Sequence, residues 1–151
     1  MAQDAIHERL YFLDGAALGA DDVATISRRM LTDPVTEHFA IDPFADAAAS
    51  IEVTFLPGVT DSVAESLLET AHHLGFEALE RAASGLRIHF RAPCSPEALD
   101  ALARDTFANP VIQRYSVNQP ISAPFVHDSL AHADDVELIA LAKLDDAGLL
   151  A

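Results

Sequence analysis

The sequence predicts an α+β fold in which helices cover an antiparallel sheet, and two observations lead to this. First, the segment that begins Asp33-Pro34-Val35 returns later in the chain as Asn109-Pro110-Val111, with matched residue character up to Ile41 and Val117. Second, from residue 50 onward, segments with apolar residues at every second position alternate with segments that carry a helical stripe. The order is strand, helix, strand, helix, strand, and the chain up to Ile41 repeats only its latter half.

The N-terminal half repeat is predicted as strand, helix, strand. Residues 7–13 alternate as a half-buried strand, and its Leu10 and Phe12 align with Ile88 and Phe90 if the first copy carries two extra loop residues. Asp21 and Asp22 suit a helix N-terminus. The helix then presents one apolar face, formed by Val23, Ile26, Met30 and Leu31. Because Pro34 restricts Asp33 to extended geometry, the helix should end there and residues 35–41 should form a second strand.

The complete unit begins with the clearest strand, residues 51–55, which stops at Pro57-Gly58. A helix follows from residues 60–62 to Gly75, with an apolar stripe of Val63, Leu67, Ala71 and Leu74. An extended segment from Phe76, bent or bulged, is predicted to continue through residues 86–90. Ser95 or Pro96 then opens a helix that runs to Phe107, and the last strand reaches Val117.

These elements divide the chain into a partial repeat (1–45), a complete unit (46–118) and a linker with the start of a further segment (119–151). Residues 119–132 resemble an exposed linker, and residues 136–142 could form a short strand. A half-unit has an apolar face too large to leave in water, so we expect it to pack beside the complete unit as an internal pseudo-dimer. The expected fold is ferredoxin-like, with helices on one face of the sheet. Its free edges also make a homodimer possible.

Composition excludes several classes of function. The formal charge is −15, from 24 acidic and nine basic residues, and no stretch concentrates the positive charge, which argues against binding to nucleic acid or anionic membranes. No apolar run approaches the roughly 20 residues that cross a bilayer. The N-terminus lacks a basic signal-peptide start, so we expect a cytoplasmic protein. The single cysteine, Cys94, excludes an internal disulfide framework.

No set of residues in the sequence predicts a catalytic, cofactor-binding or metal site. The sole lysine, Lys143, has no glycine-rich phosphate loop beside it, and Cys94 lies between prolines without an evident histidine partner. Two histidine pairs, His72-His73 and His127 with His132, lack the spacing of a shared metal site. The acidic tail lacks the glycine-hinged spacing of a calcium loop; it contains Asp128, Asp134, Asp135 and Glu137. Arg28 and Arg104 occupy equivalent helix positions, which suit either anion sites or exposed helix faces.

Two strand and helix exits carry a resemblance to a known family. Leu56-Pro57-Gly58-Val59 with Asp61 ends the first strand of the complete unit, and Ala108-Asn109-Pro110-Val111-Ile112 ends its last helix. Together with residues 51–68 and 86–91, they resemble PurS and the PurS-like N-terminal region of phosphoribosylformylglycinamidine (FGAM) synthase. Residues 50–118 match a whole PurS-like unit, residues 6–41 look like its second half, and residues 136–150 are similar to the segment that leads into the synthetase body.

The resemblance implies a role in purine biosynthesis, in the ATP- and glutamine-dependent conversion of formylglycinamide ribonucleotide (FGAR) to FGAM. It implies a non-catalytic scaffold that binds glutaminase and synthetase and supports ammonia transfer, while the complete enzyme uses ATP and Mg. The chain is then either the N-terminal domain of a longer synthetase or a separate subunit. The alternative is a regulatory, small-molecule-binding module of the ACT type, which also uses strand-helix-strand units.

Overall fold

A computed structural model of the protein describes residues 5–41 and 48–126, and these form four strands and three helices. The strands and helices are, in chain order, β1 (Ala5–Asp14), α1 (Ala20–Ile26), β2 (Ala49–Phe55), α2 (Ser62–His73), β3 (Arg81–Phe90), α3 (Pro96–Leu102) and β4 (Gln113–Val117). In this part of the chain no helix is long and apolar enough to span a membrane.

The four strands form one antiparallel sheet in the order β1-β3-β2-β4. The predicted α+β, ferredoxin-like fold is therefore confirmed. The half repeat contributes to the same sheet, because β1 pairs with β3 along its whole length. In this position β1 forms one edge of the sheet and β4 forms the other.

All three helices cover one face of this sheet. Buried side chains on that face of β2 and β3 pack with α3 in one apolar cluster of Ala49, Ile51, Val53, Ile88, Leu99 and Ala103. A second cluster joins α1 and α2 to the loop before β3, through Ile26, Leu67, Ala71 and Leu79, with Tyr11 and Leu13 of β1 packed against it. Burial of these side chains is the main source of stability, at about 1.5–3 kcal/mol for each large apolar side chain.

The internal repeat is visible in the backbone. Helices α1 and α3 occupy equivalent positions in the two copies, and each continues into a short π-helical turn, Ser27–Leu31 and Ala103–Phe107. A hydrogen-bonded turn follows both. The amide of Glu37 donates to the carbonyl of Asp33 (2.9 Å), and the amide of Gln113 donates to that of Asn109 (2.7 Å). In both turns the later side chain accepts a hydrogen bond from the earlier amide, at 2.9 Å.

The prediction of a strand at residues 35–41 is wrong. Residues 34–36 are turn, residues 37–40 have no regular structure, and Val35 is 89% exposed. The equivalent residues 113–117 become β4 because β2 offers them a free edge. Both edges of β2 are occupied by β3 and β4, so residues 35–41 find no partner strand among the described residues.

Two further expectations about strands also fail. The segment from Phe76 to Glu80 is a turn, not the start of a bent strand, and β3 is continuous from Arg81. Gly15 lets this turn approach the end of β1, since a Cβ there would lie 1.9 Å from the carbonyl oxygen of Ala78. The turn then joins β1 through the amide of Glu80, which donates to the Asp14 carbonyl at 2.9 Å.

The predicted equivalence of Leu10 and Phe12 with Ile88 and Phe90 in the two repeat copies is wrong, because the two sets of side chains lie on opposite faces of the sheet. Leu10 and Phe12 lie opposite Gly85 and Ala83, on the sheet face away from the helices. Ile88 and Phe90, to which they were aligned, belong to the helix-covered face. Since neighbouring residues of a strand point to opposite faces, this register places Tyr11 and Leu13 of β1 towards the helices instead.

Candidate functional site

The two exits that carry the family resemblance meet at one corner of the sheet, which we call the exit corner (residues 56–61 and 109–113). The amide of Leu56 donates to the carbonyl of Ile112 at 2.9 Å, so the end of β2 is tied to the start of β4. Gly58 turns the chain away from β2 with a φ of 84°, a conformation that strongly favours glycine. The two motifs are far apart in the chain, and the antiparallel pairing of β2 with β4 brings them together.

Asp61 fixes the exit corner to the rest of the fold. Its Oδ1 accepts a hydrogen bond from the amide of Ala64 at 3.0 Å and caps α2. Its Oδ2 accepts one from the amide of Ser84 at 2.6 Å, and the Ser84 hydroxyl donates to Oδ1 at 3.0 Å. One carboxylate therefore holds the start of α2 against β3, which explains the aspartate in the strand exit.

The exit corner exposes apolar side chains. Val111 is 79% exposed and Ile112 38% exposed. The turn that presents them is rigid for a loop, because the amide of Val111 also donates to Oδ1 of Asn109 at 3.1 Å. Exposed apolar groups on an ordered turn are suited to contact with another protein.

A shallow cavity of about 300 Å³ lies beside the exit corner. It is lined by Gly58 to Asp61, Ala64, Glu65, Leu68 and Ala82. The only ionisable side chains in this lining are Asp61 and Glu65, and Asp61 is already engaged by β3 and α2.

The sheet face away from the helices carries a buried polar network that alternation alone assigns to solvent. Glu52 is 1% exposed, although it lies between two core residues of β2. Its Oε1 accepts a hydrogen bond from Nε of Arg87 at 2.6 Å. Arg87 also lies 3.4 Å from the carboxylate of Glu8, which contacts Nε2 of His89 at 2.9 Å. The network thus links the three strands β1, β3 and β2.

Residues 119–126, which we call the strap, cover this network. The amide of Ile121 donates to Oε2 of Glu52 at 2.7 Å, and Arg114 donates to the carbonyls of Ser122 (2.8 Å) and Ala123 (3.3 Å). The guanidinium of Arg81 lies 4.8 Å from the ring centre of Phe125. Residues 119–132 were predicted to resemble an exposed linker; within the strap, residues 119, 120, 122 and 126 are exposed, and residues 121 and 123–125 are partly buried. The other predictions for the tail lie outside the described residues.

The two arginines predicted as anion sites or exposed helix positions both have partners. Arg28 lies 5.8 Å from the ring centre of Phe39. Arg104 pairs with Asp105 and Asp100, each at 3.1 Å, and the hydrogen bond that it donates to Asp105 raises the pKa of the guanidinium further. With their charges engaged in this way, they are poor anion sites.

The other candidate residues do not converge. His72 contacts the carbonyl of Leu79 and His73 that of Glu69, at 2.7 and 2.8 Å. Cys94 is exposed and has only a weak contact with the carbonyl of Ala92 at 3.8 Å. Over residues 5–41 and 48–126, no group of three or more ligating side chains could hold a metal ion. His127 and His132 and the acidic tail lie outside these ranges.

The fold is a ferredoxin-like domain with an exposed apolar turn at one end of its sheet. Residues 48–120 match the model of the PurS family, which is described as phosphoribosylformylglycinamidine (FGAM) synthase. These residues therefore form a PurS-like domain, which makes up just under half of the 151-residue chain and contains β2 through β4. Both parts of the exit corner lie inside the matched range. No curated protein matches the chain.

This match connects the chain to FGAM synthase and purine biosynthesis. The N-terminal β1 and α1 lie outside the matched range, although they share the sheet and the apolar core with it. The strap begins inside the range and leaves it after residue 120.

Proposed function

We propose that this chain is a non-catalytic scaffold of FGAM synthase, which binds the glutaminase and the synthetase and supports ammonia transfer between them. The reaction served is the conversion of FGAR, ATP and glutamine to FGAM. ATP and Mg belong in this proposal to the synthetase, which is either a separate chain or the continuation of this one. The chain would act in the cytoplasm beside these partners.

The observation that carries the proposal is the convergence of both family motifs at the exit corner. Their hydrogen bond, from Leu56 to the carbonyl of Ile112, has a structural role, but it leaves Val111 exposed. A motif needed only for folding would not have to present an exposed valine on an ordered turn. We therefore assign this turn to the contact with a partner enzyme.

The internal repeat supplies a matched control for this assignment. Val35 occupies the equivalent turn position in the half repeat, is 89% exposed, and lies outside the PurS-like domain. Both valines lie shortly after a turn-forming side chain, of Asp33 or Asn109, that accepts a hydrogen bond from their amide. Val111→Asp and Val35→Asp thus make the same chemical change at equivalent positions.

The test is binding of each variant to the cognate glutaminase and synthetase, measured by co-purification and by calorimetry. Val111→Asp should weaken complex formation about tenfold or more, because an aspartate would be desolvated in the interface. Val35→Asp should bind like the unmodified chain. Equal binding by both variants would contradict the assignment of the exit corner. Stabilisation by amino acids or nucleotides in a thermal-shift screen would favour the ACT-type alternative instead.

A further inference from the structure

The internal repeat indicates what should lie beside β1. Between the two copies, β1 is equivalent to β3 and α1 is equivalent to α3. The turn at residues 33–37 is equivalent to the turn at residues 109–113. In the complete copy, β2 pairs with the second edge of β3, and β4 pairs with the far edge of β2. The same arrangement in the half repeat would require one strand along the outer edge of β1 and residues 37–41 along the far edge of that strand.

The outer edge of β1 is open within the described part of the chain. The strand pairs with β3 on one side, and no described strand pairs with it on the other. A long edge strand with free backbone donors and acceptors is a template for the addition of another strand.

Residues 37–41 behave like a strand that lacks its neighbour. They correspond to β4, their sequence alternates, and they have no regular structure beyond the turn. Phe39 is 38% exposed and Ile41 52% exposed. A strand placed between these residues and β1 could form backbone hydrogen bonds with both.

An ion pair joins β1 to the start of this segment. Nη2 of Arg9, on β1, lies 2.6 Å from Oε2 of Glu37. Arg9 also donates to the carbonyl of Leu31 at 3.1 Å. The contact between β1 and this segment is therefore made by side chains, and no hydrogen bond joins their backbones among the described residues.

We propose that the outer edge of β1 is an acceptor site for one extended segment of a partner polypeptide. The segment runs antiparallel to β1, as β2 does to β3, and carries apolar side chains at alternate positions, as β2 does. It pairs with β1 on one edge and with residues 37–41 on the other. This inference does not depend on the identity of the partners in the proposed function.

A second copy of this chain does not fit the site as well. If β1 of another copy entered it, the far edge of that strand would already be occupied by its own β3. Residues 37–41 would then still lack a ladder. A segment with both edges free satisfies both neighbours, which favours an extended peptide over a folded copy.

The probe for the test is a synthetic peptide with the sequence of residues 48–56, which contains β2, and a scrambled peptide is the control. The protein is the full chain, and the readouts are titration calorimetry and amide hydrogen exchange. We expect saturable binding of the β2 peptide only, with exchange slowed about tenfold or more in residues 5–14 and 37–41. Because amides of a strand alternate between its two edges, N-methylation of the peptide at odd or at even positions should disrupt different ladders. Methylation at one set of positions should abolish the added protection of β1, and methylation at the other set should abolish that of residues 37–41.

A protein variant makes the test independent of the peptide alone. Ile41→Asp should lower the affinity for the β2 peptide by about tenfold, whereas Val126→Asp, at another exposed apolar position, should not change it. Absence of binding, equal binding of the scrambled peptide, or protection that leaves residues 37–41 unchanged would overturn the proposal. Protection, without peptide, of the β1 amides that point to its outer edge would also overturn it. If that protection required high protein concentration, the occupant would be a second copy, and if it did not, the occupant would be another part of this chain.

Discussion

At the residue scale, single carboxylates decide how the elements are joined. Asp61 ties the start of α2 to β3, and Glu52 ties β2 to β3 and to the strap. The sequence identified Asp61 as part of a motif and as a candidate helix cap, but it did not indicate its partner Ser84, which is distant in the chain. It did not indicate that Glu52 is buried either, because the alternation of β2 predicts a solvent-facing side chain at this position.

Substitution of Asp61 should cost more stability than loss of an ordinary helix cap. Asp61→Ala removes the cap of α2 and leaves the amide of Ser84 without its acceptor, so we expect a loss of about 2–4 kcal/mol in the free energy of unfolding. Ser95→Ala is the matched control, because Ser95 caps α3 through a single hydrogen bond to the amide of Ala98. It should cost about 1 kcal/mol. Equal losses in urea denaturation would show that the bonds to Ser84 contribute nothing.

The turn at residues 33–37 should lose stability at low pH because of Asp33. Hydrogen bonds from the amides of Val35 and Thr36 lower the pKa of Asp33 below its ordinary value of 3.8. The carboxylate therefore contributes its stabilisation above pH 3.8, and this is lost as the pH falls through the lower folded-state pKa. Titration followed by NMR should show the low pKa directly. Asp33→Asn should remove this part of the pH dependence, since Asn109 forms the equivalent turn without a charge. A normal Asp33 pKa would contradict the geometry.

At the element scale, the same sequence pattern forms a strand only where an edge is available. Residues 113–117 and 37–41 are equivalent in the repeat, yet only the first segment has a free edge of β2 beside it. Periodicity correctly predicted the helices, β2 and β4. It could not show that residues 37–41 would find no partner, because pairing depends on residues distant in the chain. The alignment of Leu10 and Phe12 with Ile88 and Phe90 is wrong for a related reason, since a shift by one residue moves every side chain of a strand to the other face.

The strap should depend on the Glu52 carboxylate. Glu52→Ala removes the carboxylate that accepts hydrogen bonds from Arg87 and from the amide of Ile121, so we expect a loss of about 2–4 kcal/mol in stability. Hydrogen exchange in residues 119–126 should also become faster. Glu52→Gln keeps an acceptor for Ile121 and should preserve more of the strap's protection. If both variants exchange like the unmodified chain, the strap is not held by this residue.

At the scale of the whole molecule, the half repeat and the PurS-like domain form one sheet and share an apolar core. Removal of residues 1–45 would expose one full edge of β3 and remove Ile26 from the second cluster. We expect a large fall in the denaturation midpoint and a tendency to associate through the exposed edge. Removal of residues 1–4 alone is the control and should change neither. An unchanged midpoint and oligomeric state after the larger deletion would contradict the shared core.

The role in FGAM synthase is tested most directly by comparing two sources of nitrogen. The cognate glutaminase and synthetase would be assayed for FGAM formation with glutamine or with ammonium, in the presence and absence of this chain. If the chain joins the two enzymes and supports ammonia transfer, it should raise the glutamine-dependent rate and leave the ammonium-dependent rate unchanged. Val111→Asp should lose this effect and Val35→Asp should keep it. An equal effect on both rates, or none on the glutamine-dependent rate, would contradict the proposed function.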